Sequence, residues 1–172
     1  MTDTFDVFGP RKLDENVKEA ALAVVDAETG AEIFGSSVMF YRRILSSIIT
    51  NIAQTTEIDD LRDLVSRSNT QMRDDARYHF GHFQLSPDEA RAFFIIEPIG
   101  EIMAAAMMIY AKPTTSSKAR DYLTYIVSSL HAAGKEAAKK ITRQDLSTRA
   151  LEQLNAMGLL MSTQFKVNKT IH

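Results

Sequence analysis

The chain has 172 residues, with 20 Lys and Arg set against 22 Asp and Glu, a formal charge of −2 and 45% hydrophobic residues. That is the composition of one folded domain with a real core. It excludes a disordered polyelectrolyte and leaves any anion site to a local patch. The absence of cysteine excludes a disulfide framework, thiolate metal ligation and a cysteine nucleophile, and is compatible with the cytosol.

Residues 1–12, MTDTFDVFGPRK, fit no helical period and contain no apolar core of a signal peptide. They carry Phe5, Val7 and Phe8 ahead of a Gly9-Pro10 break. Such a segment is expected to be an arm that docks, on its own body or on a neighbouring subunit. The spacing of Val17, Ala20, Ala21, Val24 and Val25 predicts a first helix over Asp14 to Glu28, closed by Thr29-Gly30. Ala31 to Gly35 reads as a connector. Ser36 or Ser37 then caps a second helix, Val38 to Gln54, apolar on more than one side and broken by Arg42-Arg43 and Ser46-Ser47.

A third helix is expected from Thr55 or Thr56 as far as Gln84. Its seam, Ile58, Leu61, Val65, Ser68, Met72, Ala76, His79 and Phe83, alternates threes and fours. The fourth helix, Pro87 to Ala111, has the strongest local signals: Ser86 as N-cap, Pro87 at the first helical position, and Asp88 and Glu89 where the helix dipole favours negative charge. From Ala92 onward it is apolar around most of its circumference, the pattern of a helix at the centre of a bundle. A bilayer span is the competing reading. Glu97 and Glu101 oppose it, at about 2.5–3.5 kcal/mol each in mid-membrane, as do Pro98 and Gly100. No membrane span is expected. Pro98 removes one intrahelical hydrogen bond, that to Phe94, and predicts a kink or a break after Glu97.

Lys112-Pro113 ends that helix. Residues Thr114 to Ser117 cap a fifth, running to about Lys140 with the seam Leu123, Val127, Leu130, Gly134, Ala137 and Ile141. Thr142 is the expected cap of a sixth, with Asp145 at the capping-box position and the apolar line Leu146, Ala150, Leu154, Met157, Met161. In Gln164 to His172 the apolar Phe165, Val167 and Ile171 alternate with polar residues, a period of two that predicts an extended tail. The fold class is therefore all-α: one helical bundle of about six helices (body 13–163) with an N-terminal arm (1–12) and a C-terminal arm (164–172).

Three constellations are candidates for chemistry. Glu97 and Glu101 stand four apart on one helical face, and His79 and His82 three apart near the preceding turn; together they could imitate a carboxylate–histidine metal site. The Glu-x-x-His spacing of di-iron bundles and the His-Glu-x-x-His motif are both absent, so ion pairing with an arginine is the expected role of the carboxylates, with His79 as a further buried polar candidate. Arg42, Arg43, Arg62, Arg67, Arg73 and Arg77 could converge on phosphates if the second and third helices are neighbours. The interleaved Asp59, Asp60, Asp63, Asp74 and Asp75 argue for ordinary surface ion pairs instead. A second basic group is Lys135, Lys139, Lys140, Arg143 and Arg149. His131 has polar neighbours in sequence and reads as a surface histidine. No strained serine turn and no phosphate loop is present.

Two functions fit this pattern. The first is a non-enzymatic structural subunit, capsid- or nucleocapsid-like, that forms a homo-oligomer or polymer through its arms (Phe5, Val7, Phe8; Phe165, Val167, Ile171), with nucleic acid as an added partner, in the cytoplasm or an assembled particle. No cofactor is expected. The second is a helical sensor or enzyme holding a small ligand or metal in the bundle core.

Overall fold

A computed structural model of the chain describes residues 10–52 and 85–170, and these are all-α, without a strand among them. Five helices are described: α1 (Pro10–Asp26), α2 (Gly30–Ile52), α3 (Pro87–Ala111), α4 (Ser117–Lys139) and α5 (Gln144–Thr170). The expected third helix, with its histidines and arginines, lies outside the described residues. The five correspond to the other five expected.

α3 forms where its end signals say it should. Ser86 accepts from the Glu89 amide, and the Glu89 side chain accepts from the Ser86 amide, a complete capping box ahead of Pro87. The helix packs against α1, α2, α4 and α5. Its buried residues, among them Phe94, Ile95, Ile99, Ile102, Met103, Ala106 and Ile109, therefore run around the helix instead of along one stripe. Gly134 of α4 allows a close approach to α3 and α5. A Cβ there would lie 2.5 Å from Ile99 Cδ1 and 3.2 Å from Leu154 Cδ2. The whole predicted α4 seam is buried, from Leu123 to Ile141.

Pro98 lies inside an unbroken α3, so of the kink or break expected there the break does not occur. The proline has no N–H to give to the Phe94 carbonyl. Ser37 of α2, fully buried, supplies the replacement: its Oγ donates to the Phe94 oxygen at 3.0 Å. Ser37 is thus neither a cap nor a surface residue.

Three helix starts differ from expectation. α1 begins at Pro10, so the last three residues of the expected N-terminal arm are helical, consistent with proline's fitness for the first helical turn. α2 begins at Gly30, not Val38. Thr29 Oγ1 accepts from the Glu32 amide at 3.2 Å and Glu32 Oε2 accepts from the Thr29 amide at 2.9 Å, a capping box that turns the expected connector into helix. α5 begins at Gln144, with the Arg143 carbonyl accepting from the Ser147 amide at 2.9 Å, one residue later than a Thr142 cap requires.

The extended C-terminal arm is also corrected. Residues 164–170 continue α5. Phe165 is buried, its ring 4.5 Å from that of Tyr110 at the end of α3. With Leu154 and Met161 it keeps three-to-four spacing, and this contact outweighs the alternation that suggested a strand.

Candidate functional site

The α3 carboxylates are half-buried, not enclosed as expected, and each of Glu97 and Glu101 is engaged by a polar or electrostatic partner. His79 and His82 lie outside the described residues. Among the described residues no group of three His, Asp or Glu is placed to hold a metal ion. Arg42 and Arg43 are exposed on α2; Arg62, Arg67, Arg73 and Arg77 lie outside the described residues. So do Phe5, Val7, Phe8 and Ile171. Val167 lies on the α5 backbone.

Most polar side chains brought together across helices serve packing. The Arg120 guanidinium of α4 donates to the Tyr110 and Lys112 carbonyls, both at 3.2 Å, and lies 5.5 Å from the Tyr110 ring centroid. It closes the C-terminus of α3, where free carbonyls and the helix dipole favour a cation. Arg91 of α3 does the same for α1, donating to the Ala27 carbonyl at 2.9 Å while pairing with Asp88 at 2.7 Å. Asp88 in turn accepts from the Arg143 amide at 2.8 Å, tying the start of α5 to the start of α3.

Asp14 of α1 accepts from the Ser129 hydroxyl of α4. Tyr125 completes this cluster; burial, followed by its hydrogen bond to Asp14, pushes its phenol up. The shallow groove beside the cluster is lined by Lys18, Ser128 and Glu136 as well, with no imidazole to activate a hydroxyl. The arrangement joins α1 to α4.

His131 departs most from expectation. It sits in a groove of about 520 Å³ between α4 and α5, with Thr124, Ser128, Gly158, Ser162 and Phe165 among its walls. Its Nε2 is enclosed without a hydrogen-bond partner. Burial, followed by the charge of Lys135, holds the ring below the usual histidine range, against the opposing pull of the Leu154 carbonyl and Asn155. Gly158 leaves just enough space: a Cβ there would lie 2.7 Å from Nε2. A neutral imidazole under a glycine is a packing element of the α4–α5 contact.

What the described surface does show is an apolar face. Leu159 is 72% exposed and Leu160 58% exposed on α5, and Met108 is 58% exposed on the neighbouring α3. The α5 segment from 153 to 165, QLNAMGLLMSTQF, has no ionisable side chain. That interval between Glu152 and Lys166 was the available sequence signal, hidden by treating α5 as an ordinary amphipathic helix. No protein-family model, no curated protein and no solved structure matches the chain. Function is therefore read from the chain's own surface and packing. Interface cores are depleted of charge and hold large apolar side chains, and the α5 face has that composition.

Proposed function

We propose that the protein is a non-enzymatic structural subunit that assembles with copies of itself, capsid- or nucleocapsid-like, in the cytoplasm or within the particle it forms. The observation that carries this reading is the charge-free α5 face with Leu159 and Leu160 turned to solvent. Two adjacent exposed leucines on a charge-free stretch of helix form the kind of apolar surface that marks a contact with another macromolecule. The contact surface thus moves from a C-terminal extended arm to the outer face of the last helix. The N-terminal segment with Phe5, Val7 and Phe8 stays in the proposal as a second contact, and Arg42 and Arg43 as phosphate contacts should nucleic acid be the cargo.

Size-exclusion chromatography with light scattering tests this directly on the full chain. A mass above that of the 19.2 kDa monomer, rising with concentration, is the expected result, and the ultraviolet absorbance ratio of the same peak reports bound nucleic acid. A monomer at high micromolar concentration, with and without added nucleic acid, refutes the proposal.

A further inference from the structure

Glu152, Ala156, Leu159 and Thr163 recur on α5 at intervals of four and three, and all four are exposed. They define one solvent face of the helix, with Leu160 at its border. The charges that bound this face are arranged symmetrically in sequence: Glu152 precedes Leu159 by seven residues and Lys166 follows it by seven. Seven residues are close to two helical turns, so both positions return to the Leu159 face.

We propose that α5 pairs antiparallel with α5 of a second copy across a two-fold axis at Leu159. The proposal rests on the assembly reading above and adds the surface, the orientation and the register. A two-fold contact must be complementary to itself, each patch meeting the same patch on the partner. Antiparallel pairing satisfies that condition: position 152 of one copy meets position 166 of the other, acid against base, at both ends of the contact. Parallel pairing sets 152 beside 152 and 166 beside 166, like charges at both ends. Between the ends, the pairing covers Leu159 with its symmetry mate and excludes no charged group from water. Ala156 and Thr163, small side chains flanking the axis, let the two helices approach. On the exposed side of this interval the absence of ionisable groups suits the dimer, since a charge facing the partner would be desolvated without a counter-charge.

The chain contains no cysteine, so single introduced thiols report the geometry by cross-linking under mild oxidation. Leu159→Cys, on the axis, is expected to yield a covalent dimer. Glu152→Cys alone is expected to remain uncross-linked, and a mixture of Glu152→Cys and Lys166→Cys chains to cross-link. Leu159→Lys is expected to weaken self-association at least tenfold by light scattering while the helical circular-dichroism signal stays unchanged. Cross-linking by Glu152→Cys alone, to the same extent as by Leu159→Cys, means parallel pairing and overturns the proposal. Oligomers that form without any of these cross-links, and that survive Leu159→Lys, place the interface elsewhere; assembly then stands and the α5 dimer falls. A monomer at every concentration removes both.

Discussion

Replacing Ser37 by Ala tests how the bundle tolerates a proline inside its central helix. The substitution removes the Oγ donor that lies 3.0 Å from the Phe94 carbonyl and replaces the N–H that Pro98 lacks. Withdrawing the donor from a buried acceptor costs about 1–3 kcal/mol. Alanine returns about 0.5 kcal/mol in helix propensity, so a net loss of about 0.5–2.5 kcal/mol is expected. In a domain of this size each 1 kcal/mol corresponds to a fall of about 2–4 °C in Tm. A double-mutant cycle with Pro98→Ala isolates the cause. That change restores an N–H four residues after Phe94, which can take over the carbonyl, and the cost of Ser37→Ala should then fall by about 1 kcal/mol or more. Urea unfolding followed by far-ultraviolet circular dichroism measures all four chains. Equal costs in both backgrounds, or a Ser37→Ala effect within the ±0.5 kcal/mol of an ordinary surface change, refute the idea that Ser37 serves the proline-freed carbonyl.

Glycine-to-alanine changes should divide by site. Gly35→Ala, with open space around it, should stabilise by about 0.5–1 kcal/mol. Gly134→Ala, 2.5 Å from Ile99 Cδ1, should destabilise, because overpacking of about 1–3 kcal/mol exceeds the propensity gain of about 1 kcal/mol; both are read from urea midpoints. His131 should weaken the fold under mild acid. Its folded pKa lies below the ordinary value, so the unfolded chain binds the proton first and stability falls as pH drops below about 6.5; His131→Gln should flatten that slope. At lower pH, Glu32 and Glu89 are held below the usual carboxylate range by the backbone amides of Thr29 and Ser86, with the hydroxyls of the same residues adding to the effect. Their contribution is present above about pH 4.3 and is lost as pH falls through the lowered folded values. The chain carrying both Glu32→Gln and Glu89→Gln should lose less stability than the parent between pH 5 and pH 3, read by thermal melts.

Local chemistry was the legible part of the fold. The ends of α3 follow from Ser86, Pro87, Asp88, Glu89 and the Lys112-Pro113 stop, all of which act within a few residues, and the α4 seam follows from strict three-to-four spacing. The start of α2 was equally local, in Thr29 and Glu32, but Thr29-Gly30 reads as a stop and Ala31 to Gly35 as a connector. Gly35 lies in an exposed turn of helix with no atom within 4 Å of an added Cβ, so there it costs only propensity. Ser37 and His131 were not legible. The Ser37 hydroxyl meets a carbonyl 57 positions away, and His131 is covered by a glycine from another helix; neither contact leaves a short-range pattern. The candidate face on α5 lay between these cases. Its missing charges were plain in the sequence, while its exposure required knowing which side of α5 meets α3 and α4.

The same contrast bears on how apolar composition is used in this chain. α3 is long and apolar enough to cross a bilayer. Within the bundle that composition has a direct account, because α1, α2, α4 and α5 all pack against it and its buried residues occur on several sides. The backbone gap at Pro98 is met by a hydroxyl from α2, and the C-terminal carbonyls are met by a guanidinium from α4. Among the described residues α5 has no such account for Leu159 and Leu160. Its inner face is satisfied by Ala150, Leu154, Met161 and Phe165, all buried, and the bundle leaves the two leucines outside. Full burial of an exposed leucine contributes about 1.5–3 kcal/mol; Leu159 is 72% exposed, so a symmetric contact that covers it gains somewhat less than that amount from each copy. In the proposed pairing the opposite charges at positions 152 and 166 add little affinity, but their sign favours the antiparallel arrangement. The apolar surface that α5 leaves exposed is therefore where a second copy has something to gain.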